Sequence, residues 1–221
     1  MPNFRLVIAL AAVSIAIGCS SKRYDQAIAV LIDVSGTYAD QKPETVNIIK
    51  REILPHMIPG DSLLVIRIDS ESYQRENVEA LFTLDQRPSH ANAQKLAIAE
   101  KLDLFATRPG SSKHTDIPGA LMLASEYLSE IGAGSSTLLI FSDMEEDLPS
   151  GSSRRLEEDE LASVRVVAMN VKRLDRDTAN PAAFRKRLAA WKERVAAAGG
   201  LEWRTIMDPA KLPDYLAVVR S

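Results

Sequence analysis

Two acids and three hydroxyls in this chain have the types and spacing to hold a hard metal ion. Asp33, Ser35 and Thr37 alternate along Asp33-Val34-Ser35-Gly36-Thr37. Thr115 stands directly before Asp116, and Asp143 follows Phe141-Ser142. All five are oxygen donors, and no imidazole or thiolate accompanies them. Such a set prefers Mg2+, Mn2+ or Ca2+ to softer metals. The three histidines, His56, His90 and His114, lie far apart and show no metal-binding spacing. A single cysteine rules out both an intrachain disulfide and a thiolate zinc cluster.

The elements around these residues indicate how they are positioned. Ala27 to Asp33 is a continuous apolar run ending in an acid, and Ser136 to Ser142 (STLLIFS) reads as another buried strand, followed at once by Asp143. Uninterrupted apolar runs of this length fit strands covered on both faces, as in a parallel sheet. Further strands are expected at Leu63–Ile68, Val78–Leu84, Val164–Val171 and Leu201–Met207. Helical spacing marks Pro43–Met57, Ala91–Phe105, Ile117–Ile131, Leu212–Val219 and the stripe Phe184, Leu188, Trp191, Val195, which stops at Gly199-Gly200. Asp116 can cap the helix beginning at Ile117, with Pro118 in its first turn. The polar stretch Glu145 to Glu160 reads as a mobile loop. Arg185, Lys186, Arg187, Lys192 and Arg194 read as a solvated helix face. The alternation predicts an α/β fold with a doubly wound, mostly parallel central sheet and helices on both faces. In such folds ligands bind outside the carboxyl ends of the strands, where the strand order reverses. Asp33 and Asp143 are both expected there.

Taken in order, these pieces resemble the metal-ion-dependent adhesion site of von Willebrand factor type A domains. That family's pattern is Asp-x-Ser-x-Ser, a distant Thr, and an Asp after a buried strand. Asp33, Ser35 and Thr37 match the first element, with Thr37 in place of the second serine. Thr115 and Asp143 match the second and third. The resemblance covers roughly residues 26–220. It implies hydroxyls that bind the metal directly, acids that act largely through water, and one position left for a carboxylate from a protein partner. It also implies a binding protein and not an enzyme.

Two other readings use the same residues. Leu31-Ile32-Asp33-Val34-Ser35-Gly36-Thr37 resembles the first motif of Mg2+-dependent haloacid-dehalogenase-type phosphatases, with Asp33 as nucleophile. Ser35 then stands where the general-acid Asp belongs, and a serine holds no proton ready for a leaving group near neutral pH. Alternatively, Asp33 and Asp143 are polar strand ends and Thr115 an accessory helix cap, in a metal-free fold with a purely structural role. That reading leaves the spacing of Ser35 and Thr37 unexplained.

The first residues read as an address. Arg5 precedes the apolar run Leu6 to Gly18, which is shorter than the roughly 20 residues a membrane-spanning helix needs. It fits a secretory signal peptide over residues 1–18. Ala16-Ile17-Gly18-Cys19 resembles the lipobox of bacterial lipoproteins, with Ala16 where the pattern prefers Leu. The resemblance implies lipidation (palmitate) at Cys19 and anchoring to a membrane through a tether over 19–26. With no internal repeat and no wide break further along, residues 27–220 read as a single domain. Ser20 is not the Asp that favours inner-membrane retention in Gram-negative lipoproteins, so in a Gram-negative source the outer membrane is favoured over the inner. The 27 basic and 30 acidic residues give a net charge of -3, which does not suit a nucleic-acid-coating domain.

Overall fold

The computed structural model describes residues 23–36, 38–110 and 112–220. In chain order the elements are β1 (Gln26–Asp33), α1 (Lys42–Ile48), β2 (Ser62–Ile68), β3 (Val78–Thr83), α2 (Pro88–Thr107), α3 (Ile117–Ile131), β4 (Ser135–Phe141), β5 (Val164–Met169), α4 (Asp175–Ala179), α5 (Pro181–Ala197), β6 (Glu202–Ile206) and α6 (Leu212–Arg220). The side chains of β1 decide the layering. Successive residues of a strand point to opposite faces. Ile28, Val30 and Ile32 enter one core, shared with residues of α1, α2 and α6. Ala27, Ala29 and Leu31 enter the other, shared with residues of α3 and α5. Every residue of β1 is buried, so the strand requires cover on both sides. On the α3 side, Ala27 and Ala29 share a core with Ala120 and Ala124, so both packing surfaces there carry small side chains.

The sheet order is β3-β2-β1-β4-β5-β6. All neighbours are parallel except β2 and β3. The chain leaves β1 for β2 on one side and later returns to β4 on the other, which places the switch point between β1 and β4. This is the doubly wound, mostly parallel arrangement expected from the alternation of elements. The antiparallel edge has a simple cause. Only residues 69–77 separate β2 from β3, and a parallel return needs a crossover of about a dozen residues or more.

Helix Ile117–Ile131 has the expected bounds, and Gly132 ends it in the left-handed conformation (φ 57°). The expected helix Pro43–Met57 is less regular. After α1 it widens into a π turn at Ile49–Ile53 and tightens into a 3-10 turn at Leu54–His56. Pro55 lies in this stretch and has no N–H to return to the carbonyl four residues back. The short helix α4 was not expected. Asp177 on it accepts from the Leu174 N–H at 2.9 Å, closing a capping arrangement at its start.

Residues 1–18 and Cys19 lie outside the described residues. The expected tether over 19–26 ends earlier than its bounds. Gln26 already belongs to β1, and Asp25 accepts from the Gly134 N–H (3.2 Å) through its carboxylate and from the Ser135 N–H (3.2 Å) through its carbonyl. Arg23 donates to the Gly132 carbonyl at 2.7 Å. These groups, in the turn from α3 into β4, hold Arg23 and Asp25 against the domain. Among the described residues, no helix is long and apolar enough to cross a membrane.

Candidate metal centre

Parallel pairing of β1 with β4 brings Ile32 opposite Phe141. The next residues are therefore brought together at the switch point. Asp33 is fully buried. Its carboxylate accepts from the Ser35 N–H at 2.8 Å and from the Ser142 hydroxyl at 2.7 Å. Asp143 is buried beside it and accepts from the Glu145 N–H at 2.8 Å. Burial pushes the Asp33 carboxyl above the ordinary range. Hydrogen bonds from Ser35 and Ser142 oppose the rise, and the Asp143 charge adds to it. Tyr38 is buried too; its phenol is raised chiefly by burial, with a hydrogen bond to Thr45 opposing and the Asp33 and Asp143 charges adding to the effect.

The loops carrying the hydroxyls are fastened to this rim. Ser35 forms a parallel bridge with Ser112. Thr115 is buried and forms an antiparallel bridge with Asp147, through N–H···O contacts of 2.7 and 3.1 Å. Asp33, Ser35, Thr115 and Asp143 thus all lie at the carboxyl end of the sheet, around the switch point. Thr37 lies outside the described residues. His114 is occupied at the rim, with its Nδ1 3.0 Å from the Asp147 carboxylate. Among the described residues, no group of three or more His, Cys, Asp and Glu side chains is placed to hold a metal ion. A cation here would therefore need hydroxyl ligands beside the two acids. The donor set is consistent with that, since every group present is a hard oxygen.

Asp116 holds the Thr115 loop to its helix. One carboxylate oxygen caps α3 by accepting from the Gly119 N–H at 2.8 Å. The other accepts from the Ser72 N–H at 3.1 Å and pairs with Arg154 at 3.1 Å. The Asp116 N–H donates to the Asp69 carbonyl at 2.8 Å, joining the end of β2 to the start of α3. A methyl group on Gly119 would sit 2.2 Å from the Asp116 carboxylate. Glycine to alanine inside a helix ordinarily stabilises by about 1 kcal/mol. Here the sign reverses. Gly119→Ala is expected to destabilise the domain by about 2 kcal/mol, because the cap and its two other contacts must be displaced. Urea unfolding measures this; a midpoint equal to or above wild type would contradict it.

Several residues that support the site were not legible in the sequence. Arg187 was expected on a solvated helix face. Its side chain is instead mostly buried, donates to the Asp143 carbonyl at 3.0 Å and pairs with Asp177 at 2.6 Å. Arg194 stacks on Trp191, 4.0 Å from the ring centroid, and pairs with Glu146. In the stretch 145–160, expected as a mobile loop, Glu145, Glu146 and Asp147 are pinned by the Arg176–Glu145 and Arg194–Glu146 pairs and by the Thr115–Asp147 bridge. Met144 takes a left-handed backbone (φ 62°) directly after Asp143, which costs a non-glycine residue about 1 kcal/mol or more. It is held there by its N–H to the Ser142 hydroxyl at 3.0 Å and by the Trp191 indole donating to its carbonyl at 2.9 Å. Glycine spacing and caps announce themselves locally, but nothing near Arg187 or Trp191 in sequence points to the Asp143 loop.

No protein-family model and no curated protein matches the chain. Among solved structures it is similar to a von Willebrand factor type A protein from Catenulispora acidiphila (13% identity, 89% of this chain and 42% of that one, TM-score 0.48). It is also similar to an aerotolerance-related membrane protein from Bacteroides fragilis (14% identity, 89% and 98%, TM-score 0.48). A third is the conserved hypothetical protein BatB from Bacteroides thetaiotaomicron (13% identity, 88% and 96%, TM-score 0.49). The chain spans less than half the length of the first of these, at 42%. The matches describe a likeness of architecture; the doubly wound α/β fold itself rests on the strand order and pairing given above.

Proposed function

We propose that this is a von Willebrand factor A-like domain of an exported lipoprotein. In this reading Cys19 carries the lipid, the outer membrane is favoured over the inner in a Gram-negative source, and the domain binds a protein partner through a divalent cation. The observation that carries the proposal is the meeting of two buried carboxylates, Asp33 and Asp143, at the β1/β4 switch point, with Ser35 and Thr115 on loops fastened to the same rim. Ser35, Thr37 and Thr115 would hold Mg2+, Mn2+ or Ca2+ directly, and Asp33 and Asp143 directly or through water. When bound, the cation would offer a position to an acidic side chain of the partner. Ser35 stands where a phosphatase would need an acid, so the reading is of a binding module and not an enzyme.

A cation that binds only the folded state stabilises it by mass action. Millimolar Mg2+ or Mn2+ is expected to raise the unfolding temperature, with binding heat by calorimetry, and Asp143→Ala to abolish both. At a concentration 100 times the dissociation constant the gain is about 2.7 kcal/mol. An unchanged melting curve without binding heat would overturn the metal reading. A metal-dependent hydrolysis of phosphate esters that disappears in Asp33→Asn would replace it with the phosphatase one.

A further inference from the structure

Beside the candidate centre lies a polar cavity of about 260 Å3, bordered by Val34 and Ser112. Three cations line it, Lys42, Arg67 and Arg108, against two carboxylates, Asp69 and Glu79. The arginines consume both acids. Arg67 lies 3.5 Å from Asp69 and 3.7 Å from Glu79, and Arg108 pairs with Glu79 as well. Lys42 is left over. The residue is only 3% exposed, yet among the described residues its amine bonds to the Arg108 carbonyl and to no carboxylate. The Phe105 ring lies beneath it, 4.9 Å from the centroid. Burial and the Arg108 charge hold Lys42 below the ordinary lysine value, with Glu79 opposing. An ammonium carries three donors, and burying one without a counter-ion is strongly unfavourable.

We infer that this cavity binds a singly charged carboxylate, with Lys42 and Arg108 as its recognition groups. The surplus of one positive charge matches one carboxylate and falls short of a doubly charged phosphate. The carboxylate could belong to a free small acid or to an acidic side chain of a protein. Ser112 lines the cavity and bridges to Ser35 on the rim of the candidate centre, so a partner bound at one lies near the other.

The test uses the domain in chelator, so that failure of the metal reading and failure of this one remain distinct. Acetate, a capped Gly-Glu-Gly tripeptide and inorganic phosphate are titrated at constant ionic strength. The readouts are backbone amide NMR shifts at Ser70 and Ser112 and the unfolding temperature. Acetate or the tripeptide is expected to produce saturable shifts and a rise in unfolding temperature. Lys42→Met, which keeps the packing on Phe105, and Arg108→Gln, at an exposed side chain, should each weaken binding about tenfold or more while leaving the domain folded. Tighter binding of the tripeptide identifies a protein side chain as the source, and tighter binding of acetate a small acid. No saturable response, a response retained in both variants, or tighter binding of phosphate than of either carboxylate would overturn the assignment.

Discussion

Asp61→Ala is expected to remove about 4 kcal/mol of stability or more, the largest single loss anticipated outside the apolar core. The Asp61 carboxylate is fully buried and has four donors. It accepts from the Gln26 N–H at 2.9 Å and the Ile58 N–H at 2.8 Å. Arg220 approaches it with both terminal nitrogens, at 2.8 and 2.6 Å. One side chain thus joins the start of β1, the turn before β2 and the end of α6. Alanine would leave two backbone N–H groups and a largely buried guanidinium without their acceptor. Domains of this kind are stable by only about 5–15 kcal/mol, so the variant should unfold at much lower denaturant. Asp61→Asn keeps an acceptor but no charge and should lose less. Urea unfolding of both variants checks this, and a loss below about 1 kcal/mol for Asp61→Ala would show that the network contributes little.

Arg187→Met is expected to cost about 3 kcal/mol at neutral pH and to weaken the metal response as well. The side chain of Asp177 is fully buried against Arg187. The Arg187 hydrogen bond holds the Asp177 carboxyl below its ordinary 3.8, against burial, with the Leu174 N–H assisting. A carboxyl depressed in the folded state contributes stability above its unfolded pKa, and that stability is lost as pH falls through the folded value. The wild-type domain should therefore lose this contribution only below about pH 3.8. Without Arg187 burial is opposed only by the Leu174 N–H and the Arg176 charge, so the Asp177 pKa rises and protonation relieves the folded state. The gap between variant and wild type should accordingly narrow as pH is lowered. Unfolding midpoints at neutral pH and below pH 4 test the sign; a gap that widens in acid would contradict it. Arg187 also donates to the Asp143 carbonyl, so the variant's rise in unfolding temperature with Mg2+ should be smaller than that of wild type.

The sequence by itself determined what depends on near neighbours. Continuous apolar runs announced the strands that end at Asp33 and before Asp143, because a strand buried on both faces tolerates no polar alternation. Asp116 and Pro118 announced the start of α3, because a cap acts within one turn. The general rule for doubly wound sheets then placed Asp33 and Asp143 at one end of the fold, and the pairing of β1 with β4 agrees. The tertiary structure alone decided what depends on partners far along the chain. Ser142 reaches Asp33 across 109 residues and Arg187 reaches the Asp143 carbonyl across 44. A charged residue on a helix looks solvated from its own neighbours, and only packing revealed Arg187 and Lys42 as buried. The loop after Asp143 looked mobile for the same reason. Its polar composition says nothing of the arginines on α4 and α5 that hold it. Strand order too lay beyond local reading, since periodicity identifies which face of a strand is buried but not which strand lies beside it.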